Sequence, residues 1–325
     1  MGEVTPVFLL SLPRSGSTLL QRLLAVSPEV ATAPEPWFLL PLAYSTRPDG
    51  THNDYRQQTC ATALEGLSSS LGDASGSSWP EMVNRFAGEV YDELSPPGTR
   101  VFVDKTPRYA LIAPELVSWF PEAKFIVLWR NPLAAAASFT RTISEGTWRF
   151  WRNHVDLYDG LANLVELAEG PARDRVVALR YEDLVRDPDR ELARMGEHLG
   201  LDLDTDRATS DFDRIPVPDH IGDRWGAARF DEVSSAPLDE WPSHYNTPVR
   251  RVWARRYLDW LGDERLAVMG YDRADLLARI EGQTGGRLLS DAVRAVYGSV
   301  YVRANTSILD HSARSLVGRR PAGVR

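Results

Sequence analysis

The stretch LLSLPRSGSTLLQRLL, residues 9–24, constrains this chain more than any other. Val7 to Leu12 is a continuous apolar run ending at Pro13, the pattern of a strand buried on both faces. Thr18 to Val26 carries apolar residues at 19, 20, 23, 24 and 26, the stripe of an amphipathic helix that stops at Ser27-Pro28. A strand that turns through small residues into a helix presents unpaired backbone N–H groups at the positive end of the helix dipole. That is an anion site. Gly16 lets the backbone approach a ligand, while Ser15, Ser17 and Thr18 add hydroxyl donors. Arg14 adds a planar cation suited to bidentate oxyanion contact.

A Walker-type loop would need glycine where Ser11 stands and lysine where Ser17 stands. Neither is met, and no aspartate closes a buried strand as a magnesium-holding partner would. The expectation is an anion bound without a Walker lysine and without a metal. Taken alone, the loop also reads as a plain Gly-Ser turn with Ser17 or Thr18 as helix N-cap.

Further short apolar strands are expected at Val101–Val103, Phe125–Trp129 and Val176–Leu179. Helical patterns separate them at Pro114–Phe120, Leu133–Glu145, Trp148–Leu167 and Asp189–Leu199. Strands alternating with helices predict an α/β fold, a P-loop-like parallel sheet flanked by helices in a single domain. Two stretches break the alternation. Residues 44–100 hold the Gly/Ser/Asp-rich SSSLGDASGSS and an amphipathic helix at Pro80–Leu94; residues 202–246 are rich in Asp and Pro, with Trp225, Phe230, Trp241 and Tyr245 interspersed. Loops of that length in a compact domain serve function or stay unfolded, and interleaved aromatics favour order. From Thr247 the chain returns to helix.

Bulk properties narrow the partners. A net charge of −8 argues against a general nucleic-acid binder, so any anionic ligand must be held by a local cluster. A single cysteine, Cys60, excludes an internal disulfide, and His52, His154, His198, His220, His244 and His311 show no metal spacing. The N-terminus lacks a signal pattern, and no run reaches the roughly 20 apolar residues of a membrane span. A cytoplasmic protein is expected.

FIVLWRNPLAAAASF places Arg130 at the carboxyl end of a buried strand and Ser138 eight residues on, within the next helix. In a parallel sheet, ligands gather at the carboxyl ends of strands, so Arg130 and the Arg14 loop should share an edge. Together, PRSGSTLL and R-N-P-x5-S resemble the signatures of sulfotransferases that use 3′-phosphoadenosine 5′-phosphosulfate (PAPS). VDKTPRYALIAPELVSWFPEAKFIVLWRNP resembles the branch that includes protein-tyrosine and many bacterial sulfotransferases. ALRYEDLVRDP and GYD at 270–272 resemble the adenine-side segment and the usual close of the domain. The likeness covers roughly residues 5–272, giving a sulfotransferase domain at 1–272, with acceptor loops at about 44–100 and 202–246, and a helical extension at 273–325. In the cytosolic branch the position of Arg14 is typically lysine; this chain departs from it, as the protein-tyrosine branch does.

The resemblance implies a co-substrate with two anionic ends. Arg14, Ser15, Gly16, Ser17 and Thr18 would hold its 5′-phosphosulfate, Arg130 and Ser138 its 3′-phosphate, and Tyr181 its adenine. It also implies that Lys105 steadies the bridging oxygen and that Glu35, flanked by Pro34, Pro36 and Trp37, is the base for an acceptor hydroxyl. His52 or His244 is the reserve base, and Asp104 is a candidate for orienting Lys105. Arg250, Arg251, Arg255 and Arg256 read as a solvated helix face rather than site residues. The acceptor would be a small alcohol, phenol, lipid or glycoside of bacterial secondary metabolism. Two other readings stay open here: a P-loop kinase of a small metabolite, and a non-catalytic nucleotide-binding protein of the same fold.

Overall fold

The computed structural model describes residues 4–49, 53–142, 144, 146–203 and 238–304. Its centre is a five-stranded sheet of β1 (Thr5–Ser11), β2 (Val30–Ala33), β3 (Val101–Asp104), β4 (Lys124–Trp129) and β5 (Val176–Arg180), in the order β2-β3-β1-β4-β5. Every pairing is parallel, with Phe8 opposite Asp104 and Phe125, and Trp129 opposite Arg180. Side chains alternate across β1. Val7 and Leu9 pack with α1 (Ser17–Leu24), α8 (Tyr181–Arg186) and α9 (Pro188–Leu199); Phe8 and Leu10 face α4 (Trp79–Glu93), α5 (Ala113–Trp119) and α7 (Leu161–Glu169). Both faces are covered, which is why β1 and β4 read as unbroken apolar runs.

The expected strands stand within one or two residues of their predicted bounds. β2 was not anticipated. It is an edge strand of four residues, VATA, too short to show the alternation that marks a strand. Gln21 of α1 fastens it: the amide donates to Thr32 Oγ1 at 2.7 Å and to the Ala33 carbonyl at 2.9 Å, and the Thr32 hydroxyl donates to the Val103 carbonyl. Past β2 the chain enters α2 (Leu39–Ser45).

The Gly/Ser-rich stretch is helix rather than loop. α3 runs Gln57–Ser75 and ends at Gly76, whose φ of 69° is the left-handed cap that glycine supplies. Its serines do not break it, because the Ser69, Ser70 and Ser75 hydroxyls bond carbonyls one turn back. Ser78 and Glu81 then form a reciprocal capping box at the start of α4. The single helix expected over Trp148–Leu167 is instead a 3₁₀ turn at Phe150–Asn153, a π turn at Asp156–Gly160 and α7. Asn153, His154 and Asp156 are buried there, and Asp156 accepts from Arg108, so polar groups sit where a regular helix would place apolar ones.

After α6 (Pro132–Thr142) and the segments above, residues 204–237, most of the second long stretch, lie outside the described residues. The chain resumes with a short turn at Trp241–Tyr245, then α10 (Pro248–Val268), α11 (Arg273–Ile280) and α12 (Leu288–Ala304). Arg250 is no solvated residue: it is buried in an ion pair with Asp291 of α12 at 2.7 Å. Arg251 donates to the carbonyls of Tyr245 and Gln283. These two arginines staple the helical end of the chain, while Arg255 and Arg256 are exposed.

Candidate active site

The carboxyl ends of all five strands converge on one edge of the sheet, and each delivers an expected site residue. β1 leads into Arg14, Ser15 and Gly16, β2 into Glu35, β3 into Lys105, β4 into Arg130 and β5 into Tyr181. This is the edge at which parallel sheets place ligands.

The loop after β1 is tightly wound. The Ser15 N–H closes a turn on the Leu12 carbonyl, and Arg14 and Gly16 take φ values of 69° and 93°. Gly16 is required twice. Its φ is left-handed, and a Cβ there would lie 2.4 Å from the Tyr181 ring, closer than any side chain tolerates. Gly16 itself is the N-cap of α1 and no side chain caps the helix, so neither Ser17 nor Thr18 takes the N-cap role. The first-turn N–H groups therefore remain available to an anion. Ser15 is buried and its hydroxyl has no partner.

Arg130 crosses from β4 to the same loop. One of its terminal N–H groups donates to the Arg14 carbonyl at 2.6 Å, and its guanidinium lies 4.6 Å over the Tyr181 ring. Its Nε is buried without a partner. Burial, and then the positive charge of Arg14, pull the Arg130 pKa down from its ordinary value. Tyr181 and the Glu182 carboxylate act in the opposite direction and favour the charged guanidinium. The next residue, Asn131, caps α6 through its side-chain oxygen, which accepts from the Leu133 and Ala134 N–H groups. Ser138 is buried further along α6. Tyr181, expected at adenine, here wedges between Gly16 and Arg130.

On the other side of the loop, Lys105 is 2% exposed, and its ammonium donates to Glu35 Oε1 at 2.9 Å and to Thr18 Oγ1 at 3.4 Å. The second Glu35 oxygen accepts from the Trp37 indole N–H at 3.1 Å. Glu35 is thus not simply sheltered by apolar neighbours, as its flanking prolines suggest: each carboxylate oxygen has a donor.

Asp104 is the last residue of β3. It does not orient Lys105. Its oxygens accept from the Tyr91 hydroxyl at 2.8 Å and the Thr106 hydroxyl at 3.1 Å. Complete burial drives its pKa from 3.8 up to about 7. The folded protein therefore keeps a proton on Asp104 that the unfolded chain has already released, so this group's contribution to stability falls as pH rises from about 4 to 7. His154 acts oppositely. Burial lowers its pKa from 6.5 to about 4, and its contribution rises with pH over that window. Asp104→Asn removes the first effect alone. Urea unfolding at pH 5, 6, 7 and 8 should show the variant gaining on the parent by up to about 1.4 kcal/mol per pH unit below pH 7, then running parallel to it. A constant difference across that range would contradict the buried neutral acid.

Of the reserve bases, His52 lies outside the described residues. His244 sits beside Arg141, Arg250 and Glu240, its pKa lowered by burial and then by the two arginines. Gln21 and Tyr91 are contributors the sequence reading missed, and Trp37, read there only as a flank of Glu35, donates a hydrogen bond to it. Their signal is through-space: Tyr91 reaches Asp104 from another helix, and Gln21 reaches β2 from α1. Among the described residues no group of three His, Cys, Asp or Glu side chains could hold a metal ion, and no helix is long and apolar enough to cross a membrane.

Comparison with known proteins bears on the family of the chain. Nodulation protein NoeE of Sinorhizobium fredii is 35% identical over 226 residues, 62% of this chain and 52% of NoeE. The omega-hydroxy-beta-dihydromenaquinone-9 sulfotransferase Stf3 of Mycobacterium bovis is 30% identical over 135 residues, 38% of this chain and 34% of its own length. The chain thus spans about half, or less, of the curated relatives it matches. In fold it is similar to the sulfotransferase domain from the Synechococcus PCC 7002 olefin synthase, with a TM-score of 0.53 and 24% identity across 84% of this chain and 97% of that one. The family model described as "Sulfotransferase family" matches residues 6–205, which takes in all five strands, the loop at Arg14 and both halves of the site. The chain belongs to the sulfotransferase family.

Proposed function

We propose that the chain moves a sulfuryl group from PAPS to a hydroxyl of a small molecule, lipid or glycoside. When bound, that nucleotide supplies a sulfuryl group activated on a phosphate leaving group. The residues present suit it. The orphaned Ser15 hydroxyl, the uncapped start of α1 and Arg14 form a cradle for the 5′ end. Arg130, with an unused Nε, and Ser138 answer to the 3′-phosphate, and the Tyr181 ring to the adenine. Glu35 takes the acceptor's proton. Lys105, bonded both to Glu35 and to Thr18 of the loop, stands between base and cradle, where it offsets charge that develops on the leaving side. Positioning and charge do most of the work in such loose, in-line transfers.

The observation that carries this reading is the bond from Arg130 to the Arg14 carbonyl, which supports two cationic clamps on one rim serving one doubly anionic ligand. The test is a thermal shift. Adenosine 3′,5′-bisphosphate (PAP) at a hundred times its Kd should raise the melting temperature by roughly 4–8 °C. ATP with Mg²⁺ at the same concentration should raise it far less. A larger shift from ATP with Mg²⁺, together with release of ADP, would favour a kinase instead.

A further inference from the structure

The side chains assigned to the reaction form a line that starts at the phosphate loop and ends in solvent. Thr18 is bonded to Lys105, Lys105 to one oxygen of Glu35, and the other oxygen of Glu35 to the Trp37 indole. Exposure climbs along it: the Lys105 and Glu35 side chains are 2% and 13% exposed, and Trp37 is 40% exposed. A hydroxyl approaching Glu35 from the loop side would have to displace a buried ammonium. On the Trp37 side, among the described residues, it meets an indole N–H at the protein surface.

Trp37 is also held at φ 60°, the left-handed region that bulky side chains avoid. A glycine would take that conformation without strain, yet a tryptophan stands there with 40% of its surface open to solvent. Strain kept at a position that touches a catalytic group points to ligand binding rather than packing.

We infer that Trp37 is the acceptor platform, and that the acceptor hydroxyl is carried on a flat ring, a sugar or a phenol, which stacks on the exposed indole and delivers its hydroxyl to Glu35. The inference rests on the sulfuryl-transfer reading. A broad, rigid aromatic face matches the C–H face of a sugar or the face of an aryl ring and fixes its orientation, whereas a flexible alkyl chain gains area without orientation. The indole N–H meanwhile holds the Glu35 carboxylate in register with the stacked ring.

The test compares the parent protein with Trp37→Gly and Trp37→Phe. Melting temperature and PAP binding are measured on each. Acceptor binding to the PAP complex is read by saturation-transfer NMR and by sulfation kinetics, using phenols, methyl glycosides and 1-hexanol. The Gly variant should remain folded and bind PAP unchanged. Its Kd and KM for ring acceptors should rise roughly tenfold, with little change for hexanol. The Phe variant keeps a ring but loses the N–H, so KM should stay near the parent value while kcat falls. Normal PAP binding with unchanged ring-acceptor affinity in the Gly variant overturns this inference alone, as does a PAP complex that binds hexanol but no ring. Failure of the parent to bind PAP overturns the sulfuryl-transfer reading with it.

Discussion

Glu35→Gln should leave PAP binding intact and lower turnover by about 10²–10⁴-fold, the usual worth of a positioned general base. The glutamate is set by structure remote from it in sequence. Gln21 ties α1 to the end of β2, two residues before Glu35, and Lys105 and Trp37 fix its two oxygens. Glutamine is the right probe because its carbonyl still accepts from Lys105. Glu35→Ala would strip a buried ammonium of its partner, at a cost of about 3–5 kcal/mol that would confuse loss of fold with loss of chemistry. Single-turnover sulfation of an accepted substrate, with PAP affinity measured in parallel, separates the two. Turnover near the parent rate would move the base to a histidine.

Arg130→Met should lower PAP affinity by about 10–150-fold, the value of a hydrogen-bonded contact to a charged group. Arg14→Ala should fall in the same range for the same reason. The two arginines differ in what they do to the empty protein. Arg130 is 9% exposed, and burial and the Arg14 charge both work against its ionised form. A methionine of similar length removes that opposition, so Arg130→Met should melt no lower than the parent while losing its ligand. Calorimetric titration with PAP and thermal unfolding without it check the two halves. A variant that unfolds early and binds normally would make Arg130 a structural residue.

The parts of this site legible in the sequence are those that local pattern controls. β1 and β4 are buried on both faces and read as unbroken apolar runs, so the residues at their carboxyl ends, Arg14 and Arg130, could be placed on one edge before any contact was known. Lys105 followed from β3 in the same way. Glu35 was placed only through family resemblance, because β2 is short and lies at the sheet edge. α3 was hidden by serines and glycines whose hydroxyl and cap bonds appear only once the helix exists. The roles of Trp37, Gln21 and Tyr91 could not be read at all. Each depends on a hydrogen bond or a backbone dihedral that no spacing encodes. Arg250 shows the converse failure: four arginines on one helix suggest a wet face, yet one of them is buried against Asp291, 41 residues away.

The direct test of two clamps on one ligand is a binding cycle that pairs loss of Arg130 with loss of the ligand's 3′-phosphate. PAP and adenosine 5′-monophosphate are titrated into the parent protein and into Arg130→Met. If Arg130 grips the 3′-phosphate, the parent should prefer PAP by about 10–150-fold and the variant should scarcely distinguish the two, since the deletions remove one and the same interaction. A preference for PAP that persists undiminished in the variant would contradict the account.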